Sequence, residues 1–411
     1  MAAKSAPKSF TFDGPAKRPS VAIFNWIGDA ARHVGWKPEL STERILDAAR
    51  RHTGLEDWGD EYFLEPLDRL VDAFKREAEL SPFGHLIIYG LLLMGVQNRL
   101  FVREYLRAHP QALEAELGSA LIVVGMPRTG TTLLYNLFAQ DPGARPLLGW
   151  ESLMPAPRAE NAERADSRQR FGKWIERGIN WFAPALRDIH PFRSDGPEEC
   201  TWLMANSFMS LIFAMFGRVP SYMEWLWRLD ETQWEPAYRD YRDQLLAIQH
   251  QRGSGQWVLK SPVHIMSAAP LLKTLPSARV LFTDRHPREV VPSTCSLFAV
   301  MRALSARRVE SGGLGTEVCT DLARGLNRME AALSHYPERV MRVGFRELVS
   351  DKIGTVRAAY SQFGLDFSDD FDFSMRRWIE NDPHRASHRY ALEQFGLSEN
   401  TLCDCFAAAA K

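Results

Sequence analysis

Long hydrophobic runs are scarce in this sequence. Leu86–Val96 holds about eleven uncharged residues and Phe208–Phe216 about nine, against the roughly 20 that a spanning helix needs, so buried helices and no transmembrane segment are expected. Net charge is also nearly absent. The 411 residues carry 50 basic against 51 acidic side chains, a formal charge of -1, so nothing asks for nucleic acid as a partner. A local basic pocket for a small anion stays compatible with that balance. Cysteine is sparse and odd in number: the five residues Cys200, Cys295, Cys319, Cys403 and Cys405 are scattered through a chain too large to need disulfide staples. A reducing, cytoplasmic setting follows as the expectation, and Cys403 and Cys405, a C-x-C without a second ligand pair, give no metal site. The first residues, Met1–Gly14, lack the apolar core of a signal peptide and read as an arm without regular structure.

What is present is a helical pattern followed by an alternation. From Ser41 to about Gly118 apolar residues recur at helical spacing, as in Leu67, Leu70, Val71 and Phe74, with Ser41 or Thr42 placed to cap a helix that Thr53-Gly54 ends. The first strand signal is Ala120–Val124, small or β-branched residues running into a glycine. Similar runs follow at Trp257–Leu259 and Ala278–Phe282, with a weaker one at Val340–Val343. Strands separated by long helical stretches predict an α/β fold, a P-loop-like parallel sheet with helices on both faces, joined to a helical N-terminal region and a long helical insertion. The expected division is 1–118 for the arm and helical region, 119–400 for the α/β core with its insertion at about 150–255, and 401–411 for a tail.

The strand Leu121–Val124 runs into Gly125-Met-Pro-Arg-Thr-Gly130-Thr-Thr132 and then a helical pattern. Strand, glycine loop and helix make a phosphate cradle, because backbone N–H groups at the helix start point at the anion. The G-x-x-x-x-G spacing is that of a P-loop, yet Thr131 stands where a triphosphatase carries the lysine that serves the β and γ phosphates. The cradle therefore suits a shorter anion, with Arg128 as a fixed cation and Thr129, Thr131 and Thr132 as hydroxyl donors beside Gly130.

These residues, G-M-P-R-T-G-T-T-L-L, resemble the 5′-phosphosulfate loop of sulfotransferases that use 3′-phosphoadenosine 5′-phosphosulfate (PAPS), in the branch that writes P-R-S/T-G-T-T. Arg128 then stands where the familiar cytosolic members carry lysine. A second segment, Asp284-Arg285-His-Pro-Arg-Glu-Val-Val-Pro-Ser293, resembles the family's 3′-phosphate motif, which implies that Arg285 and Ser293 bind that phosphate. A guanidinium can grip a phosphate bidentately, and a hydroxyl further along an adjacent helix can reach the same anion.

Between the two lies Trp257-Val-Leu-Lys260-Ser-Pro-Val-His264, similar to the family's K-S-P or K-T-H segment. Lys260 is the candidate cation for charge on the departing phosphate, and Ser261 a candidate cofactor contact. The histidine that familiar members place after K-T is Pro262 here, so the general base is sought among Glu198, Glu199 and His264, in that order. Pro197 suits the first turn of a helix, which would set both glutamates at a helix start; a helix-capping acidic pair is the structural alternative. Near the end, His388-Arg-Tyr-Ala-Leu-Glu-Gln-Phe-Gly-Leu397 resembles the branch's tail, where Arg385, His388 and Arg389 either hold the 3′-phosphate or cover the site.

The resemblance implies sulfuryl transfer from PAPS, leaving 3′,5′-bisphosphoadenosine (PAP), to a hydroxyl or amine of a small molecule, lipid or glycan, without a metal. Two rivals share the scaffold: a nucleotide kinase, which Thr131 opposes, and a nucleotide-binding module without turnover, which Lys260 and Glu198 oppose. Aromatic residues of the insertion, among them Phe208, Phe213, Tyr222 and Trp227, read either as an acceptor pocket or as core.

Overall fold

Ala120–Gly125 forms β1, the middle strand of a five-stranded sheet whose other members are β2 (Ala144–Pro146), β3 (Gln256–Lys260), β4 (Arg279–Asp284) and β5 (Val340–Gly344). The order is β2-β3-β1-β4-β5, and every pairing is parallel. The structure, a computed structural model, describes residues 19–33, 39–157, 167–381 and 391–409. The N-terminal arm Met1–Gly14 and the basic residues Arg385, His388 and Arg389 lie outside these.

All six residues of β1 are buried, and the two sides of the strand meet different cores. Ile122 and Val124, with Leu259, Val280 and Phe282, face a large cluster that includes Leu67, Leu92, Phe208 and Tyr238. Leu121 and Val123, with Val258, Leu281 and Val343, face Leu134, Tyr135, Val356, Tyr360 and Phe371. Burial on both sides explains the unbroken apolar run in the sequence, since neither face can be polar. Each fully buried aliphatic side chain contributes about 1.5–3 kcal/mol. The N-terminal helices Thr42–Thr53, Leu64–Glu77 and Pro82–Ala108 supply the first face, so they share one core with the sheet.

Ser41 Oγ accepts the Arg44 N–H at 3.5 Å, and Gly54, at φ 70°, ends the helix Thr42–Thr53, as its spacing implies. A further helix, Pro19–His33, precedes it. The helix Pro82–Ala108 is by length and composition long and apolar enough to cross a membrane, but half of its apolar window is buried inside this fold. It also carries Arg99, ion-paired with Asp240, and Asn98, whose Nδ2 donates to Leu153 O at 2.8 Å. The run Phe208–Phe216 is buried but only partly helical: Ile212–Phe216 is helix, while Phe208, at φ 57°, sits in a turn. The aromatic residues Phe208, Phe213, Tyr222, Trp227 and Trp234 belong to the large core. Sequence pattern missed β2, a three-residue edge strand whose Pro146 is tolerated only because an edge needs fewer donors.

Candidate active site

Register aligns the strand ends that carry the motifs. Val123 lies opposite Lys260 on one side and Leu281 on the other, and Gly125 lies opposite Thr283. The chain moves to one side of β1 for β2 and β3, then to the other for β4, so the C-terminal ends of β1, β3 and β4 bound the crevice where open α/β sheets bind ligands.

The loop after β1 is shaped by two glycines. At Gly125 a Cβ would sit 2.4 Å from Thr283 Oγ1 and 2.6 Å from its carbonyl oxygen. Gly130, at φ 91°, turns the chain into the helix Thr131–Phe138. Between them Arg128 also adopts the left-handed region, at φ 69°, an uncommon conformation for a residue with a Cβ and a recurrent one where backbone is shaped around a ligand. Thr129 is fully buried and pins the loop: its hydroxyl donates to Met126 O at 2.7 Å and lies 2.6 Å from that of Thr283. Thr131 is buried, and Thr132 is exposed at the helix start.

The second motif folds onto the first. Arg128 Nε donates to Ser293 Oγ at 3.1 Å and its Nη1 to Ile189 O at 2.8 Å. Arg285 Nη1 donates to Arg128 O at 3.0 Å, while its Nε reaches Glu289 at 2.8 Å and its guanidinium stacks 4.0 Å over the Phe345 ring. Ser293 lies on the helix Pro287–Ser305, which passes alongside the cradle as the spacing of Arg285 and Ser293 requires.

On the other side, Lys260 projects from the end of β3, buried to 2% exposure. Its Nζ donates to Thr132 Oγ1 at 3.3 Å and forms an ion pair with Glu199. Glu199 Oε1 also lies 3.1 Å from His190 Nε2, and its Oε2 accepts the Thr201 hydroxyl at 2.9 Å. Burial opposes the charge on Glu199, but Lys260 and His190 outweigh it and hold this carboxyl well below the usual range. Glu198 goes the other way: burial raises its pKa, with Lys260 and His190 only partly offsetting. Its Oε1 accepts the Glu199 N–H at 2.8 Å.

Pro197 does not begin a helix. It forms an antiparallel bridge with Leu148, and the short helix starts only at Thr201. The glutamates are instead laid beside the sheet as an extended segment: Glu198 N–H donates to Leu147 O at 2.8 Å, Cys200 N–H donates to Lys260 O at 3.0 Å, and Tyr135 OH donates to Glu198 O at 3.2 Å. The two glutamates therefore do not lie in the first turn of a helix, as Pro197 suggested; they precede it.

His264 and Ser261 face inward. Both are 0% exposed; His264 places its ring nitrogens 3.3 Å from Cys200 Sγ and 3.0 Å from Tyr238 OH, and burial pushes its pKa down to about 3. Ser261 Oγ lies 2.5 Å from Thr201 Oγ1 and accepts the Val263 N–H at 3.2 Å. With their polar atoms occupied in the core, both residues support the site from behind. The structure thus joins Arg128, Thr132, Lys260, Glu199, Arg285 and Ser293 around one crevice, with Glu198 buried behind Glu199. It adds His190, which heads the His190–Cys200 segment singled out for its glutamates and whose contact with Glu199 no local pattern reveals.

A profile described as Sulfotransferase family matches residues 120–369. The omega-hydroxy-beta-dihydromenaquinone-9 sulfotransferases Stf3 of Mycobacterium tuberculosis and Mycobacterium bovis are each 24% identical to the chain over 299 residues, 69% of this chain and 72% of theirs. Among solved structures, sulfotransferase STF9 from Mycobacterium avium aligns with a TM-score of 0.81 and 26% identity over 91% of this chain and 96% of its own. STF1 from Mycobacterium tuberculosis H37Rv aligns at 0.77 and 26% identity over 90% and 100%.

Proposed function

The chain belongs to the sulfotransferase family and is a transferase, and on that premise we propose that its donor is PAPS, held between the Gly125–Thr132 cradle and the Arg285–Ser293 motif. The observation that carries this reading is the convergence of residues far apart in the chain: Arg128 contacts Ser293 at 3.1 Å and Arg285 contacts Arg128 at 3.0 Å. Two phosphate-type motifs side by side suit a ligand with two separate anionic groups, and the threonine at 131 leaves no lysine for a triphosphate. Arg285 and Ser293 would take the 3′-phosphate, and the helix start with Thr132 and Lys260 the 5′-phosphosulfate.

In the transfer, the acceptor oxygen attacks sulfur in line, the bond from sulfur to the bridging phosphate oxygen breaks, and the acceptor proton goes to a carboxylate. The products are a sulfate ester and PAP. Lys260 is placed to neutralise the charge that grows on the leaving phosphate. Glu199 takes precedence over Glu198 as the base, because its carboxylate lies against Lys260 and Thr201 whereas Glu198 is engaged with backbone behind it. When Lys260 turns toward the donor, Glu199 loses one of the two partners that keep its pKa low, His190 remaining, and becomes a better proton acceptor.

The acceptor belongs to the small-molecule or lipid class. The similarity to sulfotransferases acting on a hydroxylated menaquinone derivative supports a lipid alcohol. Purified protein is expected to bind PAP equally well with and without EDTA, and to transfer labelled sulfuryl from PAPS to a panel of hydrophobic alcohols. Metal-dependent ATP binding without affinity for PAP would replace this reading with the kinase.

A further inference from the structure

Away from the crevice, large apolar side chains stand exposed on two helices that Phe83 links. The helix Pro19–His33 leaves Ile23, Phe24, Trp26 and Ile27 between 43% and 72% exposed. Phe24 meets Phe83 edge-on at 5.7 Å, and Phe83 meets Phe182 at 5.0 Å, so the face continues onto the helix Ser167–Phe182. That helix exposes Trp174 and Trp181 to 66% and 57%.

The surroundings of these rings say what they fit. Arg170, Lys173 and Arg177 are exposed on the same helix, at the i, i+3, i+4 and i+7 spacing that puts them on one side with Trp174. The acidic residue among them, Glu176, is engaged elsewhere and accepts the Ser194 N–H at 3.0 Å. Scattered exposed apolar residues are ordinary, but a helix that sets Trp174 among Arg170, Lys173 and Arg177 beside a second helix exposing Trp26 matches the headgroup region of an anionic bilayer, where indole rings sit at the interface and lysine or arginine meets lipid phosphate.

The face also leads to the reaction. Beyond Phe182, Ala183, Leu186 and Ile189 pack against Leu297 and Val300 of the helix that bears Ser293, and the Ile189 carbonyl accepts from Arg128. We infer that this face seats the protein on an anionic lipid bilayer, with the crevice opening close to the membrane surface. The inference rests on the lipid-acceptor reading for its purpose, but docking can be measured without turnover.

The experiment is flotation of the full chain with phosphatidylcholine vesicles, with or without phosphatidylglycerol. The protein is expected to float with the anionic vesicles and at least about tenfold less with the neutral ones or in high salt. The combined variant Trp26→Ala, Trp174→Ala, Trp181→Ala and, separately, Arg170→Glu, Lys173→Glu, Arg177→Glu should each cut vesicle binding by about tenfold or more while retaining PAP binding, which reports the fold. Absence of flotation by the unaltered chain overturns the inference. So does unchanged flotation of both variants, or a dimer that forms through this face without vesicle binding. Loss of PAP binding by the unaltered chain would instead remove the donor reading and leave docking intact.

Discussion

Two buried ion pairs in this protein share their ingredients and differ in their surroundings. Arg99 and Asp240 meet inside the helical region, where Arg99 also donates to Asp60 O at 3.1 Å and its guanidinium lies 4.2 Å from the Phe63 ring centroid. Lys260 and Glu199 meet at the ends of strands, beside a glycine loop and an exposed helix start. A flat guanidinium spreads its two terminal amino groups over carbonyls and a carboxylate together and holds its place; an ammonium paired chiefly with one carboxylate can exchange that partner for an incoming anion. Burial of charge therefore does not by itself identify a working site. Its position relative to a ligand-sized gap and its ability to change partner do.

Glu199→Gln gives the sharpest contrast: kcat should fall by about 10² to 10⁴ with PAP affinity little changed, because the proton acceptor is lost while shape is kept. Steady-state kinetics with equilibrium PAP binding checks this, and retained turnover together with loss in Glu198→Gln would hand the role to Glu198. Arg99→Met should act on the other quantity, costing about 3 kcal/mol of folding stability, toward the low end for a broken buried pair because Asp240 is 27% exposed. Denaturant unfolding reads that cost; kcat at a temperature where the variant remains folded should be close to normal. An Arg99 variant that folds normally but fails in catalysis would erase the contrast.

Arg285→Ala should weaken PAP binding by roughly 10- to 100-fold, as expected for removing a charged phosphate contact, yet leave adenosine 5′-phosphosulfate almost unaffected. Calorimetry with both ligands decides it, and equal losses would detach Arg285 from the 3′-phosphate. The smallest effect concerns Glu198. A carboxyl whose pKa is raised on folding holds its proton more tightly folded than unfolded, so it subtracts stability as pH climbs from the ordinary carboxylate range through the raised value. Glu198→Gln should remove that loss, leaving the protein at least as stable at neutral pH and with a shallower change between acid and neutral buffer. Glu199, with a lowered pKa, has the opposite sign: its contribution is present at neutral pH and lost on acidification. Thermal unfolding of Glu198→Gln and Glu199→Gln across that range separates the two, and matching curves would show that their environments are alike.

The sheet was legible wherever both faces of a strand are buried, as at Ala120–Gly125, because such a strand must be apolar throughout. The three-residue β2 was not, since an edge strand containing Pro146 carries neither periodicity nor propensity. The loop Gly125–Thr132 was legible for a related reason: a strand end, a glycine turn and a helix start constrain consecutive residues, so the pattern is written in consecutive letters. The acidic pair shows the limit. That two carboxylates stand together after Pro197 is visible in sequence, but which of them touches Lys260 depends on how an extended segment is laid between Leu147 and the end of β3.

Sequence alone determined the parallel α/β fold and the strand–glycine loop–helix at Gly125–Thr132, because each is specified by neighbours within a few residues or by a repeating pattern. Only the tertiary structure decided that Arg128 reaches Ser293, that His190 supports Glu199, and that His264 is enclosed by Tyr238 and Cys200. Except for His190 and Glu199, nine residues apart in one segment, those contacts join segments far apart in the chain, and all of their energies depend on burial and on the distance between charges, quantities that exist only once the fold has brought the groups together.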